Sequence, residues 1–207
     1  MRSRTTPLGA CLLAGFVLST SGCHSHPLTD YRPLDLAGMG SSYLQELKAM
    51  DTSDAEVAQL VKLEQARVHE DLAVALISTA HAHHHPFGSA DSVTSLAGAG
   101  FADLQIMQIA NADQLDLLSG DVVTLRLIGL SNATVQLLLD RHLQGQPVLS
   151  SGEIARLKNT GLTEKQIVER INQGMTDDQA EHEVYVRETI RNHSNTGFVR
   201  THGRKPR

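Results

Sequence analysis

From residue 89 to residue 174, apolar positions recur in a pattern that repeats along the chain. In the stretch GEIARLKNTGLTEKQIVERINQG, Ile154 and Leu157 precede Gly161, and Leu162, Ile167 and Ile171 follow it. Spacings of three and four residues line apolar side chains along one face of a helix. A shift of 32 residues back lands on GDVVTLRLIGLSNATVQLLLDRH, where Val122, Leu125, Gly129, Leu130, Val135 and Leu139 fill the same slots. Further upstream, Val93, Leu96, Gly100, Phe101, Ile106 and Ala110 form a third copy. A weaker fourth copy is Leu60, Leu63, Val68, Ala73 and Ile77, with Arg67 where the glycine should be.

Every matched slot has a mechanical meaning. If Gly129 is the left-handed residue just past a helix, Leu125 and Leu130 occupy the two positions whose side chains touch across a Schellman cap. Gly161 with Leu157 and Leu162, and Gly100 with Leu96 and Phe101, repeat that spacing. Ser131 and Thr163 then stand at the start of the next helix, where a hydroxyl accepts from free backbone N–H groups. Thr163 with Gln166, Ser150 with Glu153, Ser53 with Glu56 and Thr176 with Gln179 have capping-box spacing. Each unit is therefore predicted to be a helix, a tight turn and a second helix.

The pattern predicts a helical-hairpin domain at residues 41–193, with repeats at about 57–80, 89–111, 119–143 and 150–174 and a C-terminal helix at 176–193. Tyr185 and Ile190 are expected among the apolar contacts of that last helix. Hairpins this short cannot bury an apolar stripe alone, so stacked neighbours must complete the core. A short solenoid and a closed bundle both satisfy that need. The period is near that of tetratricopeptide repeats, but their Trp, Tyr and Pro signature is missing. Composition agrees with an all-α fold: the chain has no Trp, three Tyr and four Phe, and strands draw on aromatic and β-branched residues.

The N-terminus changes where such a domain would work. Arg2 and Arg4 precede an apolar run from Leu8 to Leu18, and small residues lead to Cys23. That order is a secretory signal at residues 1–22, too short to span a bilayer, which takes about 20 apolar residues. The segment STSGC resembles the lipobox of bacterial lipoproteins, with Thr20 where that family most often has Leu. The resemblance implies cleavage before Cys23 and a covalent diacylglycerol and fatty acyl chain on it. His24 in place of Asp after the cysteine implies the outer membrane of a two-membrane cell, with the domain facing the periplasm. Cys11 would leave with the signal, making Cys23 the sole cysteine of the mature chain. Residues 23–40, which contain Pro27 and Pro33, are read as a flexible tether.

Charge narrows the partners. Without residues 1–22 the chain keeps 16 basic and 23 acidic side chains, a formal charge of −7. An acidic chain forgoes the counterion release that drives binding to nucleic acid. The hairpins also resemble the helix-hairpin-helix DNA module, whose turn needs a second glycine two positions after the first. Ser131 and Thr163 stand there instead. No nucleic-acid partner is expected. The stretch 194–207 carries Arg200, Arg204, Lys205 and Arg207 and reads as a basic, disordered tail suited to touching lipid head groups or the cell-wall polymer.

Candidate chemistry is sparse. His81, His83, His84 and His85 cluster immediately before Pro86, and imidazole is a common ligand of zinc and copper. Weak Zn or Cu binding there is one reading, which would make the chain a periplasmic metal-binding protein. The competing one is a polar helix end whose histidines favour the dipole and face water. Asp113 with Asp116, Asp177 with Asp178, and Glu181 with Glu183 read as first-turn or solvent-facing charges. No nucleophile elbow, zinc-protease helix, phosphate loop or redox C-x-x-C occurs. The expectation is a non-catalytic, membrane-anchored interaction module with a protein partner.

Overall fold

The computed structural model describes residues 28–198. Among them are eleven helices and no strand, so the fold is all-α. They pair as hairpins: α1 (Arg32–Ala37) with α2 (Ser41–Ala49), α3 (Asp54–Gln65) with α4 (Glu70–Ala82), and α5 (Ala90–Gly98) with α6 (Asp103–Asn111). Then come α7 (Leu115–Leu127) with α8 (Asn132–Leu143), α9 (Ser151–Asn159) with α10 (Glu164–Asn172), and a long α11 (Asp177–Phe198). Each odd helix packs against the odd helices before and after it, from α1 to α11, while α2, α4 and α6 stack as a second layer. This succession of neighbours is a two-layer solenoid, which decides between the two packings the sequence left open.

The junctions are uniform. One left-handed residue separates each helix from the next, at Gly38, Asp51, Arg67, His84, Gly100, Asp113, Gly129, Gly145, Gly161 and Gly174. At Gly129 (φ 81°) the N–H of Leu130 donates to Leu125 O at 3.2 Å and that of Gly129 to Arg126 O at 2.9 Å. These are the two bonds of a Schellman motif. The same pair recurs at Gly100 and Gly161, as the spacing predicts, and also at the other junctions, those between hairpins included. Arg67 (φ 59°) closes a hairpin of the same kind, with Val68 N donating to Leu63 O at 3.0 Å, so the weak fourth repeat is a full member. The expected caps form as well: Ser53 and Thr163 make complete capping boxes, and the Ser131 and Ser150 hydroxyls accept from the third helical N–H.

Acidic residues at helix starts tie the hairpins together. Glu70 accepts from Gly40 N at 2.5 Å, Asp116 from Ser89 Oγ at 2.9 Å, Asp177 from Ser150 N at 2.9 Å, and Glu164 from the N–H and hydroxyl of Ser131. Asp103 meets His69 Nδ1 at 2.7 Å. In each case an acid in the first turn of one helix reaches the N-cap residue of the helix two before it. A negative charge there also suits the positive end of both helices.

Three sequence boundaries need correction. The tether does not run to residue 40, because α1 begins at Arg32 and seats Leu34 in the core at 0% exposure, with Met39 buried beside it. Pro33, taken as a linker signal, lies at the start of α1, where its missing N–H has no partner to lose. The C-terminal helix continues to Phe198 rather than ending near His193, so residues 194–198 are helix and not tail. Its buried contacts are Ala180 and Val184, whereas Tyr185 and Ile190 are exposed. Residue spacing on the helix allows either face to dock, and the face carrying Ala180 and Val184 is the one α9 meets.

Candidate functional site

The histidine cluster closes α4, and the Schellman turn there sends its members in different directions. His81, in the last turn of α4, places Nε2 2.8 Å from Glu56 Oε1. Glu56 is 2% exposed and gathers four donors. Ser53 N and Ser53 Oγ donate to Oε2 at 2.9 and 2.8 Å, and Phe87 N shares Oε1 with His81 at 2.9 Å. Burial works against the Glu56 charge, but these donors outweigh it and hold the carboxyl below the usual carboxylate value. His81 thus helps to fasten α3, α4 and the loop into α5 around one buried anion. The spacing had put Glu56 only in a capping box.

His83 Nε2 lies 3.2 Å from Asn111 O, and His84 is the exposed left-handed residue of the turn. His85 places Nε2 2.7 Å from Asp113 Oδ1 and Nδ1 3.1 Å from Pro86 O. With acceptors at both ring nitrogens, the doubly protonated ring is favoured, and the Pro86 carbonyl and Asp113 together raise its pKa. The rings of His83 and His85 stack at 6.2 Å. The four histidines do not converge, and among the described residues no group of three or more His, Cys, Asp or Glu side chains is arranged to hold a metal. His83 and His85 instead rim a cleft of about 390 Å³, with Leu76, Ala80 and Phe87 in its walls and Asp113 and Asp116 at its edge. The acids set aside as ordinary helix-start charges therefore have specific work: Asp113 fixes His85, and Asp116 accepts from Ser89 and Ser92.

A second cavity was not foreseen. It measures about 250 Å³ and opens between α7, α8 and the segment entering α9. Leu118, Val122, Leu125, Leu138, Leu139 and Leu149 make apolar walls. The mouth holds Asp121, His142, Ser150, Ser151 and Asp177. Ser151 donates to Asp121 at 2.6 Å, and Asp177 is the acid that accepts from Ser150 N. The available sequence signal was Val148-Leu149, an apolar pair in the stretch between α8 and α9 where a loop would be polar. Three elements and a loop build the wall, so no periodicity in one segment reports it.

The residue behind the envelope reading, Cys23, lies outside the described residues, as do the signal segment 1–22 and Arg200, Arg204, Lys205 and Arg207. Gly100, Gly129 and Gly161 serve as turn residues. No described helix is long and apolar enough to cross a membrane. No family model, curated protein or solved structure matches the chain.

Proposed function

We propose that the chain is a lipoprotein of the cell envelope, held to the periplasmic face of the outer membrane through a lipidated Cys23, and that its solenoid is a non-catalytic module that binds another protein. The anchor rests on the signal-like N-terminus and the lipobox resemblance at STSGC. The observation that carries the binding role is the apolar cavity between α7, α8 and α9. At about 250 Å³ it is smaller than common small-molecule pockets of roughly 300 to 1,000 Å³, and it suits one large apolar side chain. Buried anchors of that kind dominate protein interfaces. The acids at its mouth, Asp121 and Asp177, favour a partner segment that follows its anchor with Lys or Arg.

Two measurements test the two halves of this reading. Cells fed a clickable palmitate should label the wild-type chain, and Cys23→Ala should abolish the label. An unlabelled wild-type chain retaining residues 1–22 overturns the anchor. For the binding role, in-cell crosslinking should recover a defined protein with wild type. Val122→Phe, which fills the cavity, should lose it while the purified variant keeps its helical circular dichroism. Equal recovery by both forms removes the cavity from the proposal.

A further inference from the structure

Two cavities flank the start of α7. The cleft at the end of α4, about 390 Å³, lies on its α5 side, and the cavity between α7, α8 and α9, about 250 Å³, lies on the other. Asp116 faces the first, where it accepts from Ser89 and Ser92 at the start of α5. Asp121 faces the second, where it accepts from Ser151 of α9. Five positions apart on one helix, the two acids diverge by about 140° around its axis and stand about 7.5 Å apart along it. Leu117 and Gly120 fall within that arc, on the face turned away from the buried Leu115, Leu118 and Val122. Leu117 is 71% exposed, and Gly120 presents only backbone with open space above it. The passage from one cavity to the other is therefore low and partly apolar.

The two cavities suit different side chains. The cavity beyond α7 is walled by apolar residues and takes an apolar anchor. The cleft has Leu76, Ala80 and Phe87 in its walls and Asp113 and Asp116 at its edge, which fits an aliphatic stem with a cationic head, as in Lys or Arg. His85 engages Asp113 through Oδ1, and the donors to Asp116 are hydroxyls, which leave its charge in place. Among the described residues, no Lys or Arg forms an ion pair with Asp113, Asp116, Asp121 or Asp177. Basic side chains serve other acids instead: Lys62 pairs with Asp91, Arg156 with Glu153, and Arg170 and Arg187 with Glu183. Both cavities thus carry negative charge that a basic partner complements. Their separation is set by α7, which is about 10 to 12 Å across with its side chains, and four residues of extended chain cover about 13 Å.

We infer that the protein partner is held through one extended segment that crosses the start of α7, with its apolar anchor in the cavity and a Lys or Arg about four residues away in the cleft. This rests on the proposed binding role of the cavity and adds a second site to it. The test titrates the isotope-labelled full chain carrying Cys23→Ser, which blocks acylation, with Gly/Ser peptides that hold one Leu and one Arg at varied spacing and in both orders. Amide shifts should appear around both Leu149 and Phe87. At a spacing of about four, the peptide should bind about tenfold tighter than the same peptide with Arg replaced by Ser. Asp113→Asn with Asp116→Asn, both at exposed sites, should erase the gain from Arg and keep the gain from Leu, with circular dichroism unchanged. Val122→Phe should do the reverse. Shifts around Leu149 with no gain from Arg overturn the second site and leave the cavity reading standing. A gain from Arg that is equal at every spacing overturns the crossing of α7. No shift around Leu149 overturns this inference and the cavity's part in the proposed function together.

Discussion

The first three hairpins and the last two are built on one plan and finished differently. Before α7, four of the six left-handed positions are Asp51, Arg67, His84 and Asp113, residues that adopt that conformation at some cost; after α7 all four are glycines. The second layer differs as well. α4 meets α2 and α6 directly, whereas α8 comes less close to α6 and bridges to it through side chains. Gln105 donates to Gln136 at 2.8 Å, Gln136 to Gln108 at 2.7 Å, and Gln108 to Asp140 at 2.7 Å. The early half is drawn together by close helices and by a buried anion at Glu56, and its cleft lies at the end of α4 beside His83 and His85. The late half relaxes to glycine turns and a polar seam, and the apolar cavity opens there. Regular turns and close packing are therefore separable properties of this solenoid.

The largest contrast should come from core truncation. Leu60 is wholly buried in α3, so Leu60→Ala should cost about 4 kcal/mol in urea unfolding, near the upper end for a large-to-small change that leaves a void. Leu138 already borders the cavity, so Leu138→Ala should cost about 2 kcal/mol, most of it lost transfer energy. Equal costs would mean the two halves are packed alike.

Next in size is Glu56. Glu56→Gln leaves an amide facing the N–H groups of Ser53 and Phe87, and an unsatisfied buried donor costs about 1 to 3 kcal/mol. The pH dependence has a definite sign. The folded carboxyl titrates below its ordinary value, so its stabilisation is complete above about pH 4.5 and is lost as pH falls through the folded pKa. Wild type should therefore lose stability more steeply than Glu56→Gln below pH 4.5 in an acid titration followed by circular dichroism.

The turns should respond in opposite directions. Gly129→Ala puts a Cβ at φ 81° and within 3.2 Å of Lys158 Nζ, and should cost about 1 to 2 kcal/mol. Arg67→Gly relieves a left-handed arginine and should be neutral or stabilise by up to about 1 kcal/mol, because the looser unfolded chain offsets part of the gain. Thermal melts of the two variants would show whether the early half tolerates its non-glycine turns under strain. The smallest effect belongs to His85. Its raised pKa means that the His85 to Asp113 contact contributes below about pH 6.5 and fades as pH rises through the folded value. Asp113→Asn should lower the His85 pKa in an NMR titration, with little change in melting temperature because the pair is exposed.

Much of the late half was legible because its glycines recur at one offset beside matched apolar positions. Arg67 blurred the second hairpin, since an arginine does not advertise a left-handed conformation. The first hairpin went unread for another reason: α1 has only six residues, too few to show a helical period, and Pro33 with the earlier Pro27 resembles linker. Of the histidines, spacing revealed the cluster but not its dispersal, which depends on Glu56, Asn111 and Asp113 arriving from other helices. The cavity left no local trace beyond Val148 and Leu149.

Local rules, namely apolar spacing, turn residues and caps, determined from the sequence alone that this chain makes short helices closed by Schellman turns, because each of those choices is settled within about six residues. Tertiary structure decided everything that depends on what lies beside a helix. It stacked the hairpins into an open array, placed the acid of one helix on the N-cap of another, and turned His81 inward and His85 toward Asp113. It also left Tyr185, Val186 and Ile190 outside. The physical reason is that an amphipathic period says which residues share a face, but only a neighbour's surface determines whether that face is covered.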